Sequence, residues 1–146
     1  MSGEALAFDA LIAAPPERVF EAITQARGLR SWLCDACEIE PRANGRLLLR
    51  WAREGSSREP FEARWVEFTP PSRAAFQGGH VGYPDGNAGT VWFEVAREPA
   101  GARLGVRHEL PARRGYEKLA RQWGEAWPRA LARLKRHVES TADAPR

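Results

Sequence analysis

The sequence predicts one α+β domain, in which a long C-terminal helix covers a mostly antiparallel sheet. Three observations favour this class. Short segments with apolar residues at every second position predict about seven strands. Most of the connections between them are only long enough for turns, and the final part of the chain has helical periodicity. A chain of 146 residues suits one domain with one hydrophobic core.

The N-terminal part of the chain is predicted to form a strand and two short helices. Apolar residues alternate over residues 4–13, which indicates a strand with one buried face. Two prolines and a glutamate at residues 15–17 are typical of a helix start, because proline fits the first turn and an acidic side chain favours the positive end of the helix dipole. After a break at residues 26–28, a second helix is expected over residues 29–33.

The middle of the chain is predicted to form a series of strands. Turn-forming residues separate the segments, and the last two segments are predicted to pair as a hairpin across residues 98–101. After a strand-like stretch at residues 38–40, the predicted strands cover residues 46–51, 61–68, 73–77, 90–97 and 102–110.

The C-terminal segment has the longest periodic pattern. Apolar residues recur every three or four positions over residues 115–138, with Trp123 and Trp127 among them, and this spacing puts them on one face of a helix. Residues 140–146 have no apolar residue able to hold them against the domain, so we expect them to fray. The predicted domain is therefore residues 1–139.

Composition excludes several classes of function. The net charge of +3, from 22 basic and 19 acidic side chains, is too small to indicate a nucleic-acid surface. No apolar run approaches the roughly 20 residues that span a membrane. The N-terminus carries an acidic residue and no basic segment, which is unlike a secretory signal, so a cytoplasmic location is expected.

The Cys-x-x-Cys spacing of Cys34 and Cys37 raises the question of a metal or redox site. A structural zinc needs four ligands, whereas this pair supplies two and no histidine has paired spacing. A redox pair functions at a helix N-terminus, yet this one follows a predicted helix and has Asp35 and Glu38 beside it. We expect two inert thiols, with metal binding and redox chemistry as less favoured alternatives, and no metal or cofactor.

One segment resembles a known superfamily. The stretch IAAPPERVFEAIT at residues 12–24, followed by Leu29 and Trp32, is similar to the opening of START-like (SRPBCC) proteins. It resembles in particular the branch named after the activator of Hsp90 ATPase. Supporting matches lie at residues 44–46, 68–73, 102–108 and 123–124.

The resemblance implies a helix-grip fold, in which a bent antiparallel sheet wraps around the C-terminal helix and leaves an apolar cavity. Proteins of this superfamily bind lipids, aromatic polyketides and similar apolar molecules. Some members are cyclases or aromatases, and others are co-chaperones. The residues expected to line the cavity are Trp32, Leu47, Leu49, Trp51, Phe76, Phe93, His108, Trp123 and Trp127. For the three tryptophans at positions 32, 123 and 127, simple core packing is the alternative interpretation.

His108 is the histidine predicted to face the interior, because it follows Leu104 and Val106 at a period of two. One interpretation is a buried imidazole bonded to a backbone or carboxylate partner, and the other is a polar contact for a ligand. General acid–base catalysis would need a second titratable group aimed at the same point, and Glu94 is expected to face outward.

Three hypotheses follow from the sequence. The first is a protein that encloses an apolar or aromatic small molecule without transforming it. The second is a cyclase-like enzyme that uses His108, and the third is a protein-interaction module. A homodimer is left open.

Overall fold

A computed structural model describes residues 5–51, 60–79, 86–111 and 114–142. Seven strands and three helices lie within these ranges. In chain order they are β1 (Ala5–Ile12), α1 (Pro16–Thr24), α2 (Ala26–Trp32), β2 (Ala36–Ile39), β3 (Arg46–Arg50), β4 (Phe61–Thr69), β5 (Arg73–Gly79), β6 (Thr90–Glu98), β7 (Gly101–Glu109) and α3 (Glu117–Ala142).

The strands form one antiparallel sheet in the order β1-β7-β6-β5-β4-β3-β2. Among the described strands, one connection crosses the sheet, between β1 and β2, and α1 and α2 occupy that crossover. The long helix α3 packs against β1, α1 and α2. This curved sheet around a C-terminal helix is the helix-grip fold that the resemblance implied.

Alternation along the central strands decides which side chains enter the core. In β7 the residues Ala102, Leu104, Val106 and His108 are buried, whereas Arg103, Arg107 and Glu109 are exposed. In β6 Val91, Phe93 and Val95 are buried, and Glu94 between them is exposed. Successive side chains of a strand point to opposite faces, so the buried sets form the concave face beneath α3. The predicted orientation of both strands is confirmed.

The second helix starts earlier than the sequence predicted, at Ala26 instead of after residue 28. Gly28 looked like a helix break, but it lies inside α2 where the two short helices meet. A Cβ atom at position 28 would lie 2.5 Å from the Cα of Ala22. The glycine therefore permits close packing of α1 on α2, and the predicted break is wrong.

The C-terminal helix runs without interruption past Pro128 to Ala142, so part of the segment predicted to fray is helical. Two hydrogen bonds tie its last turns to the end of β1. Lys135 Nζ donates to the Leu11 carbonyl at 2.7 Å, and Glu139 accepts from the Ala13 N–H at 2.8 Å. Within the described ranges, no helix has the length and apolar character to cross a membrane.

Candidate ligand site

A small enclosed space lies between the concave face of the sheet and α3. It measures about 10 Å³, roughly the room that one water molecule needs. Its lining is apolar apart from one imidazole, and the lining residues are Leu33, Leu49, Trp51, Phe61, Phe76, Val91, His108, Trp123 and Trp127. Among the described residues, this space is far smaller than the deep cavity that the resemblance implied, and aromatic rings form most of its wall.

Six of the nine predicted wall residues line this space: Leu49, Trp51, Phe76, His108, Trp123 and Trp127. The other three, Trp32, Leu47 and Phe93, are buried in the surrounding core. Trp32 contacts Phe93 and Trp127 at ring-centroid distances of 6.3 Å, so it supports the wall from behind, as its core-packing interpretation proposed.

Three lining residues were missed by the sequence analysis: Leu33, Phe61 and Val91. The alternation that identified Phe93 applies equally to Val91, and Phe61 shares the inward parity of Ala63 and Trp65 in β4. Sequence alternation therefore could have identified Val91 and Phe61 as lining residues. Leu33 was predicted as the last residue of the second helix, but α2 ends at Trp32, so helical periodicity does not set the direction of its side chain.

His108 is fully buried, and both of its ring nitrogens are bonded to protein groups. Trp127 Nε1–H donates to Nδ1 at 3.1 Å, and Nε2 lies 2.7 Å from the Ala88 carbonyl oxygen. An indole N–H only donates and a carbonyl only accepts. The imidazole is therefore neutral with its proton on Nε2, which corresponds to the interpretation of His108 as a satisfied buried residue.

Burial lowers the pKa of His108, and the bond to the Ala88 carbonyl only partly offsets that effect. Charged residues near it in sequence and register, Arg107, Glu109 and Glu94, are exposed on the opposite face. No carboxylate among the described residues contributes to the pKa of His108. The site thus has no partner for acid–base catalysis in the part of the chain that the structure describes.

The indole rings around the cavity differ in how they are held. Trp32 Nε1 donates to the Ala22 carbonyl at 2.9 Å, and Trp51 Nε1 donates to the Leu33 carbonyl at 2.7 Å. Trp127 is held by His108. Trp123 is partly exposed and packs on Trp127 and His108 at centroid distances of 5.7 Å and 5.2 Å, but no hydrogen bond within the described residues holds its N–H.

The sequence matches the model of a known protein family. The family model described as "Activator of Hsp90 ATPase homolog 1-like protein" matches residues 13–139, which is most of the sequence. The chain belongs to this family. The branch predicted from residues 12–24 is thereby confirmed.

Solved structures with the fold of this AHSA1-like protein are distant in sequence. Protein MLL2253 from Mesorhizobium loti has a TM-score of 0.81 at 16% identity, covering 97% of this chain and 100% of that one. The Aha1 dimer from Colwellia psychrerythraea has a TM-score of 0.77 at 14% identity, and the match covers 93% of this chain and 96% of that one. CalU16 from Micromonospora echinospora has a TM-score of 0.75 at 19% identity, and the match covers 98% of this chain and 78% of that one. Such identities establish the fold alone. No curated protein has a significantly similar sequence.

The two cysteines of this AHSA1-like protein lie beside the cavity wall, at the junction of α2 and β2. Cys34 is buried and Cys37 is partly buried, and both are free thiols. Burial raises the pKa of both thiols, and each thiol lies within hydrogen-bond range of a carbonyl of α2. A raised pKa keeps a thiol protonated and slow to react. No group of three metal-ligating side chains occurs in the described ranges.

Proposed function

We propose that this AHSA1-like protein binds an apolar or aromatic small molecule between the sheet and α3, and that the small cavity is the closed form of that site. The supporting observation is the position of the cavity, which is enclosed, apolar and bordered by the partly exposed Trp51 and Trp123. Largely apolar pockets with few polar groups are typical of small-molecule sites.

Ligand entry requires one wall to move, because the closed cavity has room for about one water. Trp123 is the wall residue best suited to move, since it is partly exposed and only ring contacts with described residues hold its side chain. Rotation of Trp123 away from Trp127 opens a slot lined by aromatic faces, which fits a flat apolar molecule.

His108 has a different role in this proposal from a polar contact with the ligand. Its nitrogens are occupied by Trp127 and Ala88, so it orients the fixed wall and closes the end of the site near residues 86–89. A ligand that needs a buried hydrogen-bond partner is disfavoured, because an unpaired buried polar group costs about 1–3 kcal/mol.

Naphthalene binding tests the proposal, and quenching of tryptophan fluorescence measures it. Native mass spectrometry of freshly purified protein searches for a bound natural ligand. Trp123→Ala removes the movable wall, so its affinity for naphthalene is expected to exceed that of the wild type by about tenfold, which corresponds to 1.4 kcal/mol. The matched control is Trp92→Ala, which removes a half-buried tryptophan that does not line the cavity and should leave affinity unchanged. Equal affinities of wild type and Trp123→Ala, with no co-purified molecule, would reject the proposal.

A protein-interaction role is the second candidate, and the small volume of the cavity among the described residues favours it. The family description supports the ATPase of an Hsp90 chaperone as the activity to measure. Stimulation of that ATPase by the wild type, undiminished in Trp123→Ala, would place the function on the outer surface instead of the cavity. The solution dimer of the Colwellia protein supports a homodimer of this chain as well. The enzyme hypothesis draws no support from His108, because neither of its nitrogens is available to a substrate.

A further inference from the structure

The first strand, β1, lies at an edge of the sheet, and no other strand among the described residues pairs with its outer side. In an antiparallel pair, the backbone N–H and C=O of every second residue point toward the neighbouring strand. The β6–β7 hairpin fixes which residues of β7 these are: Glu98 pairs with Gly101 across a two-residue turn, so odd-numbered residues bond to β6. Even-numbered residues of β7 therefore bond to β1.

Even-numbered residues of β1 pair with even-numbered residues of β7, as in Leu6 with His108. The odd-numbered residues of β1 consequently point their backbone groups at the free edge. Two hydrogen bonds from α3 agree with this assignment, because Lys135 reaches the Leu11 carbonyl and Glu139 reaches the Ala13 N–H. These bonds cover one end of the edge.

Ala5, Ala7 and Asp9 form the remaining free edge, and no hydrogen bond within the described residues reaches their backbone groups from outside the sheet. Exposed edge strands usually carry protection such as short length, lysine or proline. The opposite edge, β2, has four residues, whereas β1 has eight and contains neither lysine nor proline. Its single charge, Asp9, is paired with Arg103 at 3.0 Å.

We propose that the free edge of β1 binds the β1 edge of a second copy of this chain, in antiparallel register about a two-fold axis through Ala7. This inference rests on the proposed homodimer and names its surface. Ala7 then faces the partner's Ala7, and Ala5 faces the partner's Asp9. The register uses all three free residues, avoids the covered Leu11 carbonyl, and places each Asp9 opposite an alanine instead of a second carboxylate.

The strip beside β1 adds apolar surface to this proposed interface. A groove runs between β1 and α3, lined by Phe8, Ala10, Pro128, Leu131 and Ala132 together with Asp9 and Lys135. A two-fold axis perpendicular to the sheet keeps both α3 helices on the same face, so each groove meets its copy. Pro128 and Ala132 are exposed and compact, which allows the two helices to approach and bury the apolar strip. That burial adds to the backbone hydrogen bonds.

Light scattering during size-exclusion chromatography tests the assembly and its surface. The wild type is expected at about twice the 16.3 kDa chain mass. Ala7→Pro removes one edge N–H and blocks pairing, and proline is tolerated on an edge strand when that N–H faces solvent, so it should elute as a monomer. Ala7→Ser keeps the N–H and should remain a dimer. A wild type at the single-chain mass up to millimolar concentration would disprove the homodimer itself.

A cross-link tests the register and does not depend on the proline variant folding. Ala7→Cys is made with Cys34→Ala and Cys37→Ala, and the protein is exposed to a mild oxidant that accepts the two thiol electrons. Facing residues of a bonded pair have Cα atoms about 5.5 Å apart, which suits a disulfide, so a dimer band is expected. Asp9→Cys in the same background should give none, because it faces the partner's Ala5. A dimer that persists in Ala7→Pro and shows no cross-link would assign the interface to another surface.

Discussion

Trp127 and Trp123 lie one helical turn apart on α3 and border the same cavity, but they are held in different ways. Trp127 is 1% exposed, and its N–H donates to His108 in the core. Trp123 is partly exposed, and in the part of the chain that the structure describes it is held by ring packing without a hydrogen bond to its N–H. One side of the cavity is therefore fixed by a buried polar contact, whereas no such contact holds the other side among the described residues.

This contrast shows how a filled interior remains compatible with ligand binding. Buried hydrogen bonds fix geometry because breaking them leaves unpaired groups in a low-dielectric interior. Ring packing near the surface lacks that penalty, so water replaces it at lower cost. The Trp127–His108–Ala88 contact, which links α3, β7 and residues 86–89, supplies the rigid reference for the movement of Trp123 that we propose.

The largest expected effect comes from Trp127→Ala. The substitution removes a fully buried indole and leaves His108 Nδ1 without its donor, and we expect the free energy of unfolding to fall by about 3–5 kcal/mol. Urea denaturation followed by far-UV circular dichroism measures it. Trp127→Phe keeps most of the packing and removes only the donor, so it should cost about 1–2 kcal/mol. Equal losses in the two variants would show that the hydrogen bond, and not packing, dominates.

Substitution of His108 is expected to have the next largest effect. His108→Ala leaves the Trp127 N–H and the Ala88 carbonyl unpaired in the core, and such groups cost about 1–3 kcal/mol each. We expect a total loss of about 2–4 kcal/mol in the same denaturation experiment. His108→Gln offers one donor and one acceptor and should recover part of it. A loss below about 1 kcal/mol for His108→Ala would indicate that water readily replaces the imidazole.

The pH dependence of stability should be smaller and specific to His108. Burial lowers its folded-state pKa below the ordinary value of 6.5, so the unfolded chain binds the proton more readily. The contribution of neutral His108 to the free energy of unfolding is complete above pH 6.5. It is lost as pH falls toward the lowered pKa, with a slope of at most about 1.4 kcal/mol per pH unit. Urea midpoints between pH 8 and 5 measure it. The same slope in His108→Gln would assign the effect to other groups.

Sequence periodicity correctly predicted which side chains of β7 and α3 face the interior. The period of two in β7 placed Leu104, Val106 and His108 inward, and the helical spacing placed Trp123 and Trp127 on one face of α3. These patterns report the direction of a side chain because backbone geometry sets that direction. The apolar face of α3 predicted that this helix lies across the sheet, and the resemblance implied that the sheet bends around it. The strand order was not predicted, since local patterns alone leave several topologies open.

The partner of His108 and the size of the cavity were beyond the reach of such patterns. Ala88 lies in a connection between strands, where no periodicity predicts that its carbonyl will meet an imidazole 20 residues away. Cavity volume depends on the rotamers of several rings at once, including Phe61 and Phe76, which meet edge to face at 6.0 Å. Sequence predicts which residues face inward but not how completely they fill the space.

The smallest expected effect on stability is that of Trp123→Ala, and it decides whether one wall can move. The variant loses ring contacts with Trp127 and His108, each pair worth about 0.5–1.5 kcal/mol. Partial exposure already hydrates part of the ring, so we expect a net loss of about 1 kcal/mol in urea denaturation, well below that of Trp127→Ala. Because Trp127 stays bonded to His108, its near-ultraviolet circular dichroism should persist. If Trp123→Ala were as destabilising as Trp127→Ala, both walls would be fixed, and a ligand would have no way into the interior on this side.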